Sequence, residues 1–152
     1  MKIKVRQGKP EDRETIASFQ QAMALETENI KLDKDTLSKG IRAIFDDPAK
    51  GQYFVAEADG KIVASMMTTF EWSDWRNATV WWLQSVYVLP EFRRGGIFRK
   101  MYAYVKSEAE NRDDVSGLRL YVADSNIKAA KTYENVGMDS GRYQMFEWMK
   151  DY

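Results

Sequence analysis

Residues 93–100 read Arg-Arg-Gly-Gly-Ile-Phe-Arg-Lys, four cations around two adjacent glycines. A glycine turn that opens a helix presents main-chain N–H groups with no intrahelical acceptor. They sit at the positive end of the helix dipole, and Gly95 and Gly96 carry no side chain to block an approaching anion. The same composition also makes an ordinary solvated turn. The spaced glycines of dinucleotide sites and the Gly-Lys-Ser/Thr of nucleotide loops are both missing. The flanking residues carry the argument. Residues 80–88 are apolar, β-branched and aromatic and predict a strand, Pro90 opens a turn, and residues 97–112 predict a helix with Ile97, Met101, Val105 and Ala109 on one face. Strand, basic glycine loop and helix together form a local anion site.

The sequence contains no cysteine and no histidine. That excludes disulfides, thiolate nucleophiles, His-based zinc sites and Ser-His-Asp triads, and leaves carboxylates, tyrosine, lysine, main-chain amides and water for any chemistry. With 152 residues, 44% of them apolar, the chain is long enough for one domain over 1–152 with a sizeable core. The 23 basic and 23 acidic residues cancel, so no global field favours nucleic acid or a membrane surface. No apolar run approaches membrane-spanning length, and the polar start predicts a cytoplasmic protein.

The remaining elements follow from periodicity. Ile3 and Val5 alternate with charges over residues 2–6, a short strand. Pro10 opens a helix whose Ile16, Phe19 and Met23 share a face, and Asp33 caps a second with Leu37, Ile41 and Ile44 buried and Leu32 as staple. Residues 53–58 and 61–70 predict strands joined by a two-residue Asp59-Gly60 turn. Residues 71–78 predict a loop holding Trp72 and Trp75, which line a cleft, meet a partner or fold back as a lid. Leu118, Leu120 and Val122 alternate as a strand, Asn126 caps a short helix ending near Asn135, and residues 138–149 predict a hairpin through Ser140-Gly141.

Residues 86–97, Val-Tyr-Val-Leu-Pro-Glu-Phe-Arg-Arg-Gly-Gly-Ile, resemble the strand, turn and pyrophosphate loop of the GNAT family of N-acetyltransferases, whose loop has the form Arg/Gln-x-x-Gly-x-Gly/Ala. Arg93 and Gly96 take its first two places, and Phe98 stands where a second small residue is usual. Leu120-Tyr121-Val122, Asn126, Ala129, Ala130, Tyr133, Gly137 and Met138 resemble a second signature of that family, and the likeness extends over nearly the whole chain. The resemblance implies an α/β single-domain fold with a mixed central sheet of about six to seven strands and about four helices. It implies acetyl-CoA as co-substrate and no metal. Main-chain groups of Val86, Tyr87 and Val88 would pair with the pantetheine arm, while Arg93, Arg94, Gly95, Gly96, Ile97, Phe98 and Arg99 would hold the pyrophosphate. Asn126 would touch the cofactor as well as cap its helix, and the central strand would part from its neighbour after Tyr121. Tyr133 would be the proton donor, for which a phenol of pKa ≈ 10 facing a thiol of ≈ 8.5 is suited. A homodimer through the aromatic C-terminal hairpin also follows from the likeness alone.

The acceptor implied is a primary amine of a small molecule, such as a polyamine, a diamine or an amino-acid-like compound. Glu26 and Glu28 lie in an acidic connection that is either a solvated loop or a wall of the acceptor site, with Trp75 and Gln84 as further contacts. Where polyamine-acetylating relatives carry a glutamate on the central strand, this chain has Gln84, which cannot accept a proton. Glu26, Glu28, Glu71 and Asp74 remain as candidate bases. An acyl-CoA-binding sensor without turnover is the alternative reading. Nucleic-acid binding through the arginine loop, Trp72 and Trp75 is a third, opposed by zero net charge.

Overall fold

The computed structural model describes residues 1–151. They fall into two compact units, one over residues 1–119 and one from residue 120 onward. The first holds a five-stranded sheet in the order β1-β2-β3-β4-β5. Its strands are β1 (Ile3–Gln7), β2 (Gln52–Ala58), β3 (Lys61–Ser73), β4 (Ala78–Val88) and β5 (Val115–Arg119). Neighbours are antiparallel except β4 and β5, which run parallel. Parallel neighbours need a crossover, and α3 (Ile97–Glu110) supplies it, while α1 (Arg13–Glu28) and α2 (Lys34–Asp46) connect β1 to β2.

β2 explains why this sheet lies between helices. Tyr53, Phe54, Val55 and Ala56 are all buried, an unbroken apolar run rather than an alternation, as a strand covered on both faces requires. Tyr53 and Val55 face one way, into a cluster with Ile16 of α1 and Ile41 of α2. Phe54 faces the other way, its ring 6.0 Å from that of Tyr104 on α3. Ile97, Met101, Val105 and Ala109, spaced at helical intervals, form the buried stripe of α3.

Local signals hold where they name a specific turn or cap. Asp59 and Gly60 both adopt positive φ (50° and 85°), the twist a two-residue hairpin needs. Asp33 accepts a hydrogen bond from the Thr36 amide at 2.9 Å, closing the first turn of α2. A 3-10 turn over Pro10–Asp12 precedes α1. No described helix is long and apolar enough to cross a membrane.

Three expectations need correction. β3 continues through Ser73, so Glu71 and Trp72 lie in a strand and only residues 74–77 turn. β5 stops at Arg119, short of Leu120 and Val122. Residues 138–149 form no strand, leaving five strands among the described residues instead of six to seven. The alternation there places Tyr143 and Met145 on one face and Phe146 and Trp148 on the other, so it defines no single face to bury, and these four side chains are exposed.

The second unit contains α4 (Ile127–Asn135). The Asn126 side chain caps it, accepting from the Ala129 amide at 3.1 Å. At the other end Met138 N–H donates to the Tyr133 carbonyl and Gly137 N–H to that of Glu134, the paired closure of a helix that ends on a left-handed glycine.

Candidate cofactor-binding edge and loop

The site begins with a strand that loses one neighbour. The β4–β5 ladder ends at the Trp82–Arg119 pair, whereas β4 continues to Val88. From Leu83 onward its β5-side edge has no strand in this unit. Within this unit the ladder ends at Arg119; Tyr121, after which the parting was expected, belongs to the second unit. On the other side, Gln84 opposes Met67 and Tyr87 opposes Ser65, so Ser85 and Val86 together face Met66. This bulge carries Ser85 at φ 54° and bends the strand just where its far edge opens.

The ladder phase then sorts the three expected pantetheine contacts. Leu89 N–H donates to the Val63 carbonyl at 2.9 Å, and Tyr87 is two residues back in the same register. Main-chain groups of Tyr87 therefore serve β3, and those of Val88 face the open edge. The Val88 carbonyl is taken there by Arg93 Nε at 2.8 Å. The Tyr87 side chain is buried and supports its surroundings, with its ring 5.3 Å from Phe19 of α1 and the Arg93 guanidinium 5.4 Å above it.

Beyond a 3-10 turn at Pro90–Phe92 the chain enters the basic loop. Arg94 (φ 66°) and Gly96 (φ 77°) are both left-handed, and Gly96 is the N-cap of α3. That conformation favours glycine at position 96, and a Cβ there would project into open space, so the loop surface is accessible. The first intrahelical bond is Lys100 N–H to the Gly96 carbonyl at 3.1 Å, so the N–H groups of residues 97–99 form the first turn at the positive end of the α3 dipole. Arg94, Arg99 and Lys100 are exposed around them. Phe98 does not fill the loop. Its ring lies 6.1 Å from that of Tyr102, one turn further along α3. An open strand edge, an amide-lined helix start and nearby cations fit a cofactor with both amide and phosphate groups.

Arg93, by contrast, is engaged elsewhere. Its terminal nitrogens grip both oxygens of Glu26, at 2.6 and 2.9 Å. No sequence signal pairs residues 67 positions apart. The Arg93 hydrogen bond holds the Glu26 carboxyl below its ordinary range. Glu71 is likewise lowered, chiefly by the Trp82 indole N–H at 2.8 Å and then by Arg119 at 3.1 Å. Both carboxylates are poor proton acceptors near neutral pH. Gln84 donates to the Thr69 hydroxyl at 2.6 Å. Glu28 is the exposed last residue of α1. Trp75 stands 93% exposed in the β3–β4 turn. Gln84 is six residues into β4 from Ala78, so the structure does not join it to Trp75, which lies roughly 20 Å away along the ribbon. In the second unit, burial pushes the Tyr133 phenol above its ordinary value, keeping it protonated at neutral pH.

Residues 15–138 match the model of the Acetyltransferase (GNAT) family. A solved structure of a possible acetyltransferase from Clostridium difficile 630 is 43% identical, with 99% of each chain covered and a TM-score of 0.91. Glucosamine-6-phosphate N-acetyltransferase from Arabidopsis thaliana shares 18% identity over 99% of this chain and 100% of its own, at a TM-score of 0.75. A predicted acetyltransferase from Clostridium acetobutylicum, solved with acetyl-CoA, shares 15% identity over 96% of each chain at a TM-score of 0.73. None of the curated proteins matches.

Proposed function

Because the chain belongs to the acetyltransferase (GNAT) family, we propose that it transfers an acetyl group from acetyl-CoA to the primary amine of a small molecule, directly and within one ternary complex. The observation that carries this reading is the junction of the open β4 edge with the amide-lined start of α3. Val86 and Val88 hold the pantetheine arm through main-chain groups, and the amides of residues 96–99 hold the pyrophosphate, with Arg94, Arg99 and Lys100 as counter-charge. When bound, the cofactor would supply a thioester whose C–S bond breaks as the acceptor nitrogen forms its C–N bond, the protons leaving that nitrogen passing to water. Tyr133 Oη donates the proton that the departing thiolate takes, the phenol being in its protonated form at neutral pH. Asn126 borders the cofactor while capping α4.

The acceptor is a polyamine, a diamine or an amino-acid-like amine. We assign the base to neither Glu26 nor Glu71, since each is already held as a carboxylate by an arginine. Gln84 favours the second reading, an acyl-CoA sensor, because its amide cannot accept a proton. Thiol release from acetyl-CoA across a panel of polyamines, diamines, amino acids and aminoglycosides separates the two. Turnover with one class supports the enzyme and names its acceptor. Binding of coenzyme A with no turnover leaves the sensor. Tyr133→Phe is expected to lower kcat by about 100-fold or more, within the range of general acid catalysis, with little change in acetyl-CoA KM. Unchanged turnover at every pH removes Tyr133 from the chemistry.

A further inference from the structure

We infer that Glu26 is a positioning residue for the cofactor loop, acting through Arg93. This rests on the coenzyme A reading above and assigns a task to a carboxylate expected at the acceptor side. Three observations converge on the arginine. Its end-on fork is filled by Glu26, at 2.6 and 2.9 Å. Its Nε–H is fixed on the Val88 carbonyl at 2.8 Å. Its plane rests over Tyr87, whose ring in turn meets Phe19. Phe19 and Glu26 are seven residues apart and so share one face of α1, which meets Tyr87 of β4 through a ring and Arg93 of the following loop through a charge pair.

The geometry has a chemical consequence. A guanidinium binds a phosphate with the same fork it offers a carboxylate. Glu26 already occupies that fork, so the Arg93 side chain serves the loop as a strut, and phosphate binding falls to the loop amides and the neighbouring cations. Arg93 is the first loop residue, and Val88 ends the open edge. The spacing between pantetheine-binding edge and pyrophosphate-binding amides is therefore set by a side chain that Glu26 holds in place. Without Glu26 the arginine regains its rotamers, the Val88 carbonyl loses its fixed donor, and the loop must be ordered when the cofactor binds.

The test is calorimetric titration of coenzyme A, with steady-state kinetics, on Glu26→Gln, Glu26→Asp, Arg93→Lys and the Glu26→Gln/Arg93→Lys double variant. Glu26→Gln keeps the shape and removes the charge, while Arg93→Lys keeps the charge and removes the fork. Each is expected to raise the Kd of coenzyme A and the KM of acetyl-CoA about tenfold with kcat within about twofold. Glu26→Asp is expected to recover part of the loss. The double variant is expected to be no worse than either single one, because both break the same tie. Tighter binding by Glu26→Gln overturns the inference by making Glu26 a competitor of the phosphate. Unchanged affinity reduces the pair to surface decoration, and a loss confined to kcat moves Glu26 into the chemistry. If the wild-type chain binds no coenzyme A, the proposed function fails. The strut is still read from amide exchange over residues 93–99, expected about tenfold faster in Glu26→Gln and overturned if unchanged.

Discussion

At each end of helix α1 a carboxylate is held by an arginine, Arg6 of β1 at one end and Arg93 of the loop after β4 at the other, and the two ties differ in what surrounds them. At its N-terminus Arg6 of β1 grips both oxygens of Asp12, at 2.8 and 3.1 Å, and also meets Glu57. Asp12 additionally accepts from the Lys9 amide at 2.7 Å. The side chains of that pair are 18% and 7% exposed, against 38% and 44% for Arg93 and Glu26. A buried pair cannot lose one member without stranding a charge, whereas water screens a half-exposed pair and contributes to its solvation. The N-terminal tie therefore stabilises the fold, and the C-terminal tie chiefly fixes where a loop begins. Similar chemistry at two depths does different jobs.

Breaking the buried tie has the largest expected effect. Asp12→Ala leaves Arg6 with the Glu57 carboxylate and the Gln7 carbonyl and is expected to cost about 2–3 kcal/mol in denaturant unfolding. Its pH dependence follows from the direction of its shift. The Arg6 hydrogen bond, foremost, holds Asp12 below the ordinary carboxylate range in the folded state. The stability it contributes is complete above the pKa of the unfolded carboxyl and is lost as pH falls through the folded value. Stability curves of wild type and Asp12→Ala should thus be furthest apart near neutral pH and converge in acid. A constant gap contradicts this account. Glu26→Gln should cost less than about 1 kcal/mol of stability by the same measurement, even where cofactor affinity falls. If its cost matches that of Asp12→Ala, the two ties do not divide as described. The smallest effect belongs to Ser65→Ala on β3. The hydroxyl of Ser65 is fully buried with no hydrogen-bond partner among the described residues, so its removal should be neutral or stabilising by up to about 1 kcal/mol. A clear loss would mean that a buried water pairs with it.

The sequence was legible where a residue type answers a local backbone demand. Asp59-Gly60, Asp33, Gly96 and the unbroken run 53–56 each point to one turn, cap, loop or buried strand. It was not legible where a partner is distant. Nothing local pairs Glu26 with Arg93 or Glu71 with Arg119, and nothing in β4 indicates that its ladder to β5 ends at Trp82. Glu71 and Trp72 resembled a loop because charge and aromatics interrupt the apolar pattern. They lie in a strand because Val80 and Thr79 oppose them across the β3–β4 ribbon. Alternation at residues 143–148 resembled a hairpin, but period two predicts a strand only where one face has a core to meet.

If the open half of β4 and the start of α3 form one binding surface, both respond together when coenzyme A binds. Site-resolved amide hydrogen exchange with and without coenzyme A tests it most directly. Val86, Val88 and residues 96–99 should slow together by at least about tenfold on saturation, while the doubly paired stretch 79–82 stays unchanged. Protection confined to other elements, or none at saturating cofactor, would contradict the account.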